Sequence, residues 1–257
     1  MDPKEMRAAH RTLAEIEYPP KAVDRGYTDR TLHVDLSTKH IELRSVPPYM
    51  KEYFTGGKGF DLYLMWQQIP GPIAWDDPRN GLYFSGGPLC GTPAFSGTGK
   101  CLVTGISPTT GSVMDCNVGG HFGPLLKFSG FDALEVTGKA AAWSMLVIDG
   151  DRHRVTIETA PHEPLNSYDL AMTLHRSFAE SHDELQSISV VSAGEAARHS
   201  LIGCLNVSFW DWQRAAPRLK QAGRGGLGSV LMNKKLKAIV AKCRENRPRW
   251  HMQVQAP

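Results

Sequence analysis

Two glycine runs are the residues of this chain best suited to chemistry. Gly119-Gly120-x-x-Gly123 and Gly223-x-Gly225-Gly226-x-Gly228 each stand immediately before a predicted helix. Glycine lets backbone approach a ligand to hydrogen-bond distance, and a helix start offers unpaired N–H groups and the positive end of the helix dipole. Together these suit a phosphate. A tight turn with no ligand needs the same residues, so the runs alone leave both readings open. Neither is a P-loop, because G-x-x-x-x-G-K-[ST] is absent. Neither is a dinucleotide fingerprint, because no strand–G-x-G-x-x-G–helix unit leads to a parallel strand and an acidic residue about 20 positions on.

Other site chemistries find less support. His10, His175 and His199 are scattered, and no histidine pair has H-E-x-x-H spacing. A G-x-S-x-G nucleophile elbow is absent. The five cysteines, Cys90, Cys101, Cys116, Cys204 and Cys243, never form C-x-x-C. An odd count reads as reduced thiols in a cytoplasmic protein, held as small buried apolar residues. Gly194-Glu195 after a strand could offer a buried carboxylate, though a surface or capping role suits a glutamate better. Trp210-Asp211-Trp212 reads as core or interface aromatic residues.

The elements that must position the loops follow from periodicity. Residues 1–26 read as a polar arm with a short helix, broken at Pro19-Pro20. Thr31 to Leu36 and His40 to Arg44 alternate around Ser37-Thr38-Lys39 as a hairpin. Tyr49 to Gln67 has helical spacing interrupted by Gly56-Gly57-Lys58-Gly59. Strands are expected at 81–85, 100–105 and 132–136, and a second hairpin at 144–148 and 155–158. An amphipathic helix is expected at 167–182, then strands at 186–192 and 238–240. The tail, 243–257, is polar. Many short strands with few long helices give an α+β class. The 257 residues suffice for a real core, and a net charge of +3 gives no argument for nucleic acid. No secretory leader and no run of about 20 apolar residues is visible, so no membrane partner is expected.

A short internal repeat accompanies the loops. Gly123 and Ala133, and Gly228 and Ala238, stand the same distance apart. Each stretch follows a glycine pair and ends in an apolar strand. Chance can produce so permissive a match; a duplicated half-domain presenting two equivalent loops to two similar ligands is the sharper reading.

Ordered segments along the chain resemble the N-terminal domain of the aldehyde:ferredoxin oxidoreductase family, which uses a tungsten-pterin cofactor. They are Phe54-Thr55-Gly56-Gly57-Lys58-Gly59, Gly86-Gly87-Pro88-Leu89-Cys90-Gly91-Thr92, Lys100 to Pro108, Asn117 to Gly123 with Leu126 to Ala133, Ser192-Ala193-Gly194-Glu195, and Ala222 to Gly228 with Lys234 to Ile239. The likeness runs from about Tyr27 to Lys242. It implies two similar sheet-containing halves under a tungsten bis-pterin whose metal is held mainly by the pterins' own sulfurs. It further implies that Asn117 offers its backbone carbonyl to a magnesium ion joining the pterin phosphates, a hard-oxygen role. Gly119, with Gly120, would approach one pterin by its backbone, and the loop with Arg224 and Gly225 would serve the other. A gap-free match puts Lys220 on a basic pterin contact and Gln221 on the second magnesium carbonyl. Arg214-Ala215-Ala216 is a rival match that needs a gap.

Two departures stand out. Lys100 occupies a position where the family commonly has an arginine linking pterin to iron–sulfur cluster, and lysine lacks the planar fork. The run Arg218-Leu219-Lys220-Gln221-Ala222-Gly223-Arg224 is more like the branch containing tungsten-dependent benzoyl-CoA reductase catalytic subunits. The implied reactions are ferredoxin-linked oxidation of an aldehyde to a carboxylic acid, or reduction of an aromatic acyl-CoA. The resemblance implies no catalytic residue here: the 4Fe-4S cluster and the acid/base groups are expected in a remainder or partner chain, together with ferredoxin or electron-transfer subunits. The chain is then expected to be a fragment, a truncated product or half of a split enzyme, organised as arm 1–26, tungstopterin-binding domain 27–242 and tail 243–257. Lys100 and the missing remainder favour a rival, a degenerate cofactor-free assembly or interaction subunit; the glycine loops oppose it. Three expectations follow: Gly119 and Gly225 share one face, Lys100, Lys220 and Arg224 converge there, and that face is open and apolar-rimmed.

Overall fold

The computed structural model describes residues 2–93, 97–160 and 165–244. The first half opens with the hairpin β2 (Arg30–Asp35) and β3 (His40–Ser45), after α1 (Pro3–Ala8) and β1 (Thr12–Glu17). It continues through α2 (Pro48–Tyr53), α3 (Lys58–Gln68), the meander β4 (Leu82–Ser85), β5 (Cys101–Ile106) and β6 (Val113–Val118), then α4 (Phe122–Phe128) and β7 (Ala133–Thr137). The second half repeats that order. Hairpin β8 (Ser144–Asp149) and β9 (Arg154–Thr159) leads to α5 (Ser167–Ser177). The meander β10 (Ile188–Ser192), β11 (Leu205–Asp211) and β12 (Ala216–Ala222) leads to α6 (Leu227–Asn233) and β13 (Leu236–Lys242).

The sheets carry the duplication further. The six-stranded sheet runs β3-β2-β7-β4-β5-β6, and the seven-stranded sheet runs β1-β9-β8-β13-β10-β11-β12. Setting β1 aside, each position in one order matches its counterpart in the other. In both halves the hairpin's first strand pairs parallel with the last strand, β2 with β7 and β8 with β13. The short repeat in the sequence is thus the visible part of a repeat spanning both halves, and the α+β class with two sheets is the observed fold.

Burial explains the layering. Leu32, Val34, Phe84, Val103, Leu134 and Val136 face a core they share with Leu146, Ile157, Val191, Val207 and Ile239 of the other sheet. Helices α4 and α6 lie in that space and touch strands of both sheets. On the outer face of the six-stranded sheet, Phe60, Leu64 and Met65 of α3 pack with Met50 of α2 and Tyr83 of β4. On the outer face of the other, Leu170 and Leu174 of α5 pack with Met6 of α1. Asn166 caps α5, its side chain accepting from the Asp169 N–H, which satisfies an otherwise orphaned donor at the helix start.

The structure corrects several expectations. Within the N-terminal arm the short helix is α1, and it is followed by a strand that was not expected: β1 adds an edge strand antiparallel to β9, and Met6 is buried. The helix expected at 167–182 stops at Ser177. Cys243, the first residue of the expected tail, is buried and its N–H donates to the Ser187 carbonyl; residues 245–257 lie outside the described ones. β6, β11 and β12 were not expected as strands. β12 is an edge strand with much of its length exposed, so it lacks an apolar alternation; Leu205 and Val207 of β11 do alternate, and that signal was readable.

Candidate functional site

The two glycine loops leave the ends of corresponding strands. β6 and β12 are the outermost strands of their sheets, and each runs into its loop. These two edges meet reciprocally. A Cβ at Gly119 would stand 3.2 Å from Lys220 Cδ on β12, and one at Gly120 would stand 3.1 Å from Phe209 Cβ on β11. In return, a Cβ at Gly225 would run into Met114 Cγ on β6. The Arg224 N–H donates to Cys116 Sγ, also on β6, at 3.3 Å. The first loop therefore rests on β11 and β12 of the second half's meander and the second loop on the first half's edge strand. Gly120 and Gly225 have φ of +84° and +75°, a backbone region in which a side chain is strained.

The residues named from the sequence gather along this seam. Asn117 and Gln221 are exposed and each stands two positions before its loop's first glycine. Edge strands carry some backbone groups outside the sheet ladder, and β6 and β12 are both edge strands. The Gln221 amide also donates weakly to Asn206 Oδ1 at 3.5 Å. Lys220 is exposed, with its ammonium 5.2 Å from the Phe209 ring centre. Lys100 is exposed at the start of β5; its neighbour Gly99 lies against the Gly120 carbonyl, and Cys101 lies against Gly123. Arg224 is exposed in the second loop. Among the described residues, none of Lys100, Lys220 and Arg224 takes part in an ion pair. The nearby carboxylate of Asp115 on β6 is matched by Lys58 at 2.7 Å. The seam thus presents uncompensated positive charge beside side-chain-free backbone, which is what a phosphate-bearing ligand requires. Helices α4 and α6 are only two turns long, so their free N–H groups would contribute more than their dipoles.

Lys58 is the residue that sequence reasoning passed over here. It sits in Gly56-Gly57-Lys58-Gly59, where attention fell on the glycines, and it neutralises the one acid on β6. Lys127 and Lys234 were also unassigned. Both are fully buried: the Lys127 ammonium donates to the Gly26 and Gly87 carbonyls, and that of Lys234 to the Pro78 and Gly138 carbonyls. Burial lowers the pKa of each, that of Lys234 to about 7. They tie loops to α4 and α6 from inside and do not face the seam's solvent side.

A polar row crosses the outer face of the six-stranded sheet and ends at β6. Glu42, His33, Glu135, Tyr83, Thr104 and Asp115 are successive register partners across all six strands. Burial pushes Glu135 up to about 7, with Arg44 at 3.6 Å only partly offsetting it, and pushes His33 down to about 4. Asp61 of α3 accepts from Ser85 and Thr104, yet complete burial holds its pKa well above the usual carboxylate range. His175 is structural: it is buried with Nδ1 on Ser208 Oγ and Nε2 on the Leu185 carbonyl, and burial holds it neutral with a pKa of about 4. Burial likewise raises the thiols of Cys90, to about 11, and Cys101, so neither is an activated nucleophile. Among the described residues, no group of three or more His, Cys, Asp or Glu could hold a metal ion, and no helix is long and apolar enough to cross a membrane.

The chain is similar to known proteins over most of its length. Residues 31–243 match the family model described as aldehyde ferredoxin oxidoreductase, N-terminal domain. The tungsten-containing aldehyde ferredoxin oxidoreductase of Pyrococcus horikoshii is 31% identical over 217 residues, covering 84% of this chain and 33% of that protein. An aliphatic sulfonate oxidoreductase, WOR-like subunit, of Pyrococcus furiosus is 27% identical over 221 residues, with 84% and 34% covered. Among solved structures, a chain of the active-site complex of benzoyl coenzyme A reductase with 1,5-dienoyl-CoA superposes with a TM-score of 0.73 at 28% identity. The match covers 84% of this chain and 31% of that one. The chain therefore spans about a third of the length of the curated relatives it matches.

Proposed function

Because the chain belongs to the aldehyde ferredoxin oxidoreductase family through its N-terminal domain, we propose that it is the cofactor-cradling part of a tungsten bis-pterin oxidoreductase acting on aldehydes or on an aromatic acyl-CoA. The observation that carries the proposal is the reciprocal seam, in which two equivalent loops from two equivalent half-domains meet with Gly119 against Lys220 and Gly225 against Met114. A group with two similar phosphate-bearing arms matches a site built twice.

The residues present suit such a group. Gly119 and Gly120 let the first loop pack closely on Lys220 and Phe209 of the other half, and Lys100, Lys220 and Arg224 supply charge that no acid of the described chain neutralises. Carbonyls of Asn117 and Gln221 would hold a magnesium ion between the phosphates, since hard oxygen donors suit that cation. The bound cofactor would supply the two-electron redox chemistry, and this domain would supply position and electrostatic compensation. The iron–sulfur cluster, the catalytic acid/base groups and the contact with ferredoxin or another electron-transfer subunit are assigned to the remaining two-thirds of the family length or to a partner chain, in a cytoplasmic assembly.

Pyrophosphate titration followed by calorimetry tests the seam without the cofactor. The chain binds pyrophosphate saturably, more weakly at high salt, and K220Q with R224Q reduces the affinity at least about tenfold, as expected for two charge-assisted contacts. Equal binding by that double variant and by a control at the distant turn, K39Q, contradicts the assignment. Lys100 favours the second reading, a cofactor-free assembly subunit, because a lysine cannot reproduce a bidentate arginine contact; in that case no saturable binding is observed.

A further inference from the structure

A basic cavity of about 240 Å³ lies between the link that joins the two halves and the end of α6. Trp75 comes to it from the first half, Lys139 and Trp143 from the link between β7 and β8, and Arg198, Met232 and Lys235 from the second half. Among the described residues no carboxylate lines it. The Lys139 ammonium donates to Asn233 Oδ1 at 2.9 Å, and that of Lys235 to the Ala141 carbonyl at 2.7 Å. Both acceptors are neutral, so these two half-buried lysines are held in place with their charge uncompensated. The Arg198 guanidinium lies 5.2 Å from the Trp143 ring centre and pairs with Glu195. The Lys237 ammonium lies 5.6 Å from the same ring. Attraction to an indole face restrains cations that would otherwise move freely in solvent. Of the acids next to Trp75 in the chain, Asp77 pairs with Arg79 at 2.6 Å, and Asp76 reaches the site through its backbone carbonyl, which accepts from Asn233.

Charge and shape together indicate the ligand. Half-buried cations are screened by water less than exposed ones, and a concave wall concentrates their field. With Arg198 set against Glu195, Lys139 and Lys235 still leave two positive charges, which match a dianion better than a single carboxylate. Trp75, Trp143 and Met232 give the cavity an apolar side, so the ligand carries an organic body beside its charge. We propose that this cavity binds a small phosphate monoester, with the phosphate between Lys139, Lys235 and Arg198 and the organic body against the two tryptophans. One bound molecule then touches the first half, the link and the second half, and stabilises the junction between the half-domains. The site is distinct from the glycine seam. Its lysines follow the C-terminal ends of β7 and α6, whereas the seam uses the loop before α6. It stands whether or not the seam holds a cofactor.

Phenyl phosphate titrated into the full chain tests the site. We expect saturable binding with a change in tryptophan emission, because Trp75 and Trp143 line the cavity, and a rise in the thermal unfolding temperature. K139Q/K235Q is expected to weaken binding at least about tenfold, as for two lost charge-assisted contacts, while K220Q/R224Q at the seam leaves it unchanged. R198Q, at an exposed position, gives a second reading and weakens binding severalfold. Inorganic phosphate, which lacks the body, and benzoate, which carries one charge, each bind at least about tenfold more weakly than phenyl phosphate. An unliganded K139Q/K235Q that unfolds at the wild-type temperature shows that the variant folds. No saturable binding by the wild type at low salt, or equal binding by the wild type, K139Q/K235Q and R198Q, overturns the site. Loss of binding in K220Q/R224Q alone places phenyl phosphate at the seam and overturns it as well. Inorganic phosphate binding as tightly as phenyl phosphate overturns the organic body, and benzoate doing so overturns the dianion.

Discussion

At the scale of single residues, the chain separates charges that hold it together from charges left for something else. Lys127 and Lys234 are spent on backbone carbonyls inside the molecule, whereas Lys100, Lys220 and Arg224 stand exposed without acidic partners among the described residues. Glu135 is the least comfortable group. It is fully buried, neither carboxylate oxygen has a hydrogen bond, and its pKa is raised from 4.5 to about 7. A raised acid pKa means that the folded state binds the proton more tightly than the unfolded one. Stability is then full below the unfolded value of 4.5 and is lost as pH rises through about 7. Glu135→Gln keeps the shape and removes the charge. We expect the variant to gain on the order of 2–3 kcal/mol over the wild type at about pH 8.5 and almost nothing at about pH 4, in urea unfolding. Parallel stability curves for the two proteins across that range contradict the assignment. Nothing in the sequence marked Glu135, because its isolation depends on His33 and Tyr83 being its register neighbours on two strands distant along the chain.

At the scale of elements, the seam is built from two edge strands lying together. The glycine loops were legible as loops before helices because glycine clustering and helical periodicity are local signals. The seam was not legible, because β6 and β12 are edge strands whose exposed residues blur the alternation that marks a strand. The ten-residue Gly–Ala spacing exposed only α4–β7 and α6–β13, although the repeat takes in the hairpins and meanders as well. Asn117 and Gln221 show the difference between the two kinds of information. The family likeness named both, and only the fold shows that they occupy equivalent positions on equivalent strands. Gly225 and Gly119 give opposing predictions from this geometry. Gly225→Ala places a side chain at φ +75° and into Met114, and is expected to cost about 1–3 kcal/mol in thermal or urea unfolding. Gly119→Ala meets only the flexible Lys220 stem at 3.2 Å, so it leaves stability within about 0.5 kcal/mol while weakening pyrophosphate binding severalfold. Equal destabilisation by the two substitutions shows that the loops do not meet the opposite half as described.

At the scale of the whole molecule, five layers enclose three apolar spaces. The seam between the two halves lies on a chain that matches a third of its relatives' length. Under the proposed function, the redox centre would belong to an assembly in which this domain is one wall. Its central claim is tested most directly by measuring tungsten content together with aldehyde-dependent dye reduction, for the chain alone and for the chain co-produced with the polypeptide that carries the remaining two-thirds of the family length. The account predicts neither tungsten nor dye reduction from the chain alone and both from the pair, with K220Q/R224Q lowering tungsten content in the pair. Full activity from the lone chain contradicts it, because these 257 residues hold no C-x-x-C motif for a cluster to carry electrons away. Absence of tungsten from an intact pair contradicts it equally and leaves the cofactor-free subunit as the reading.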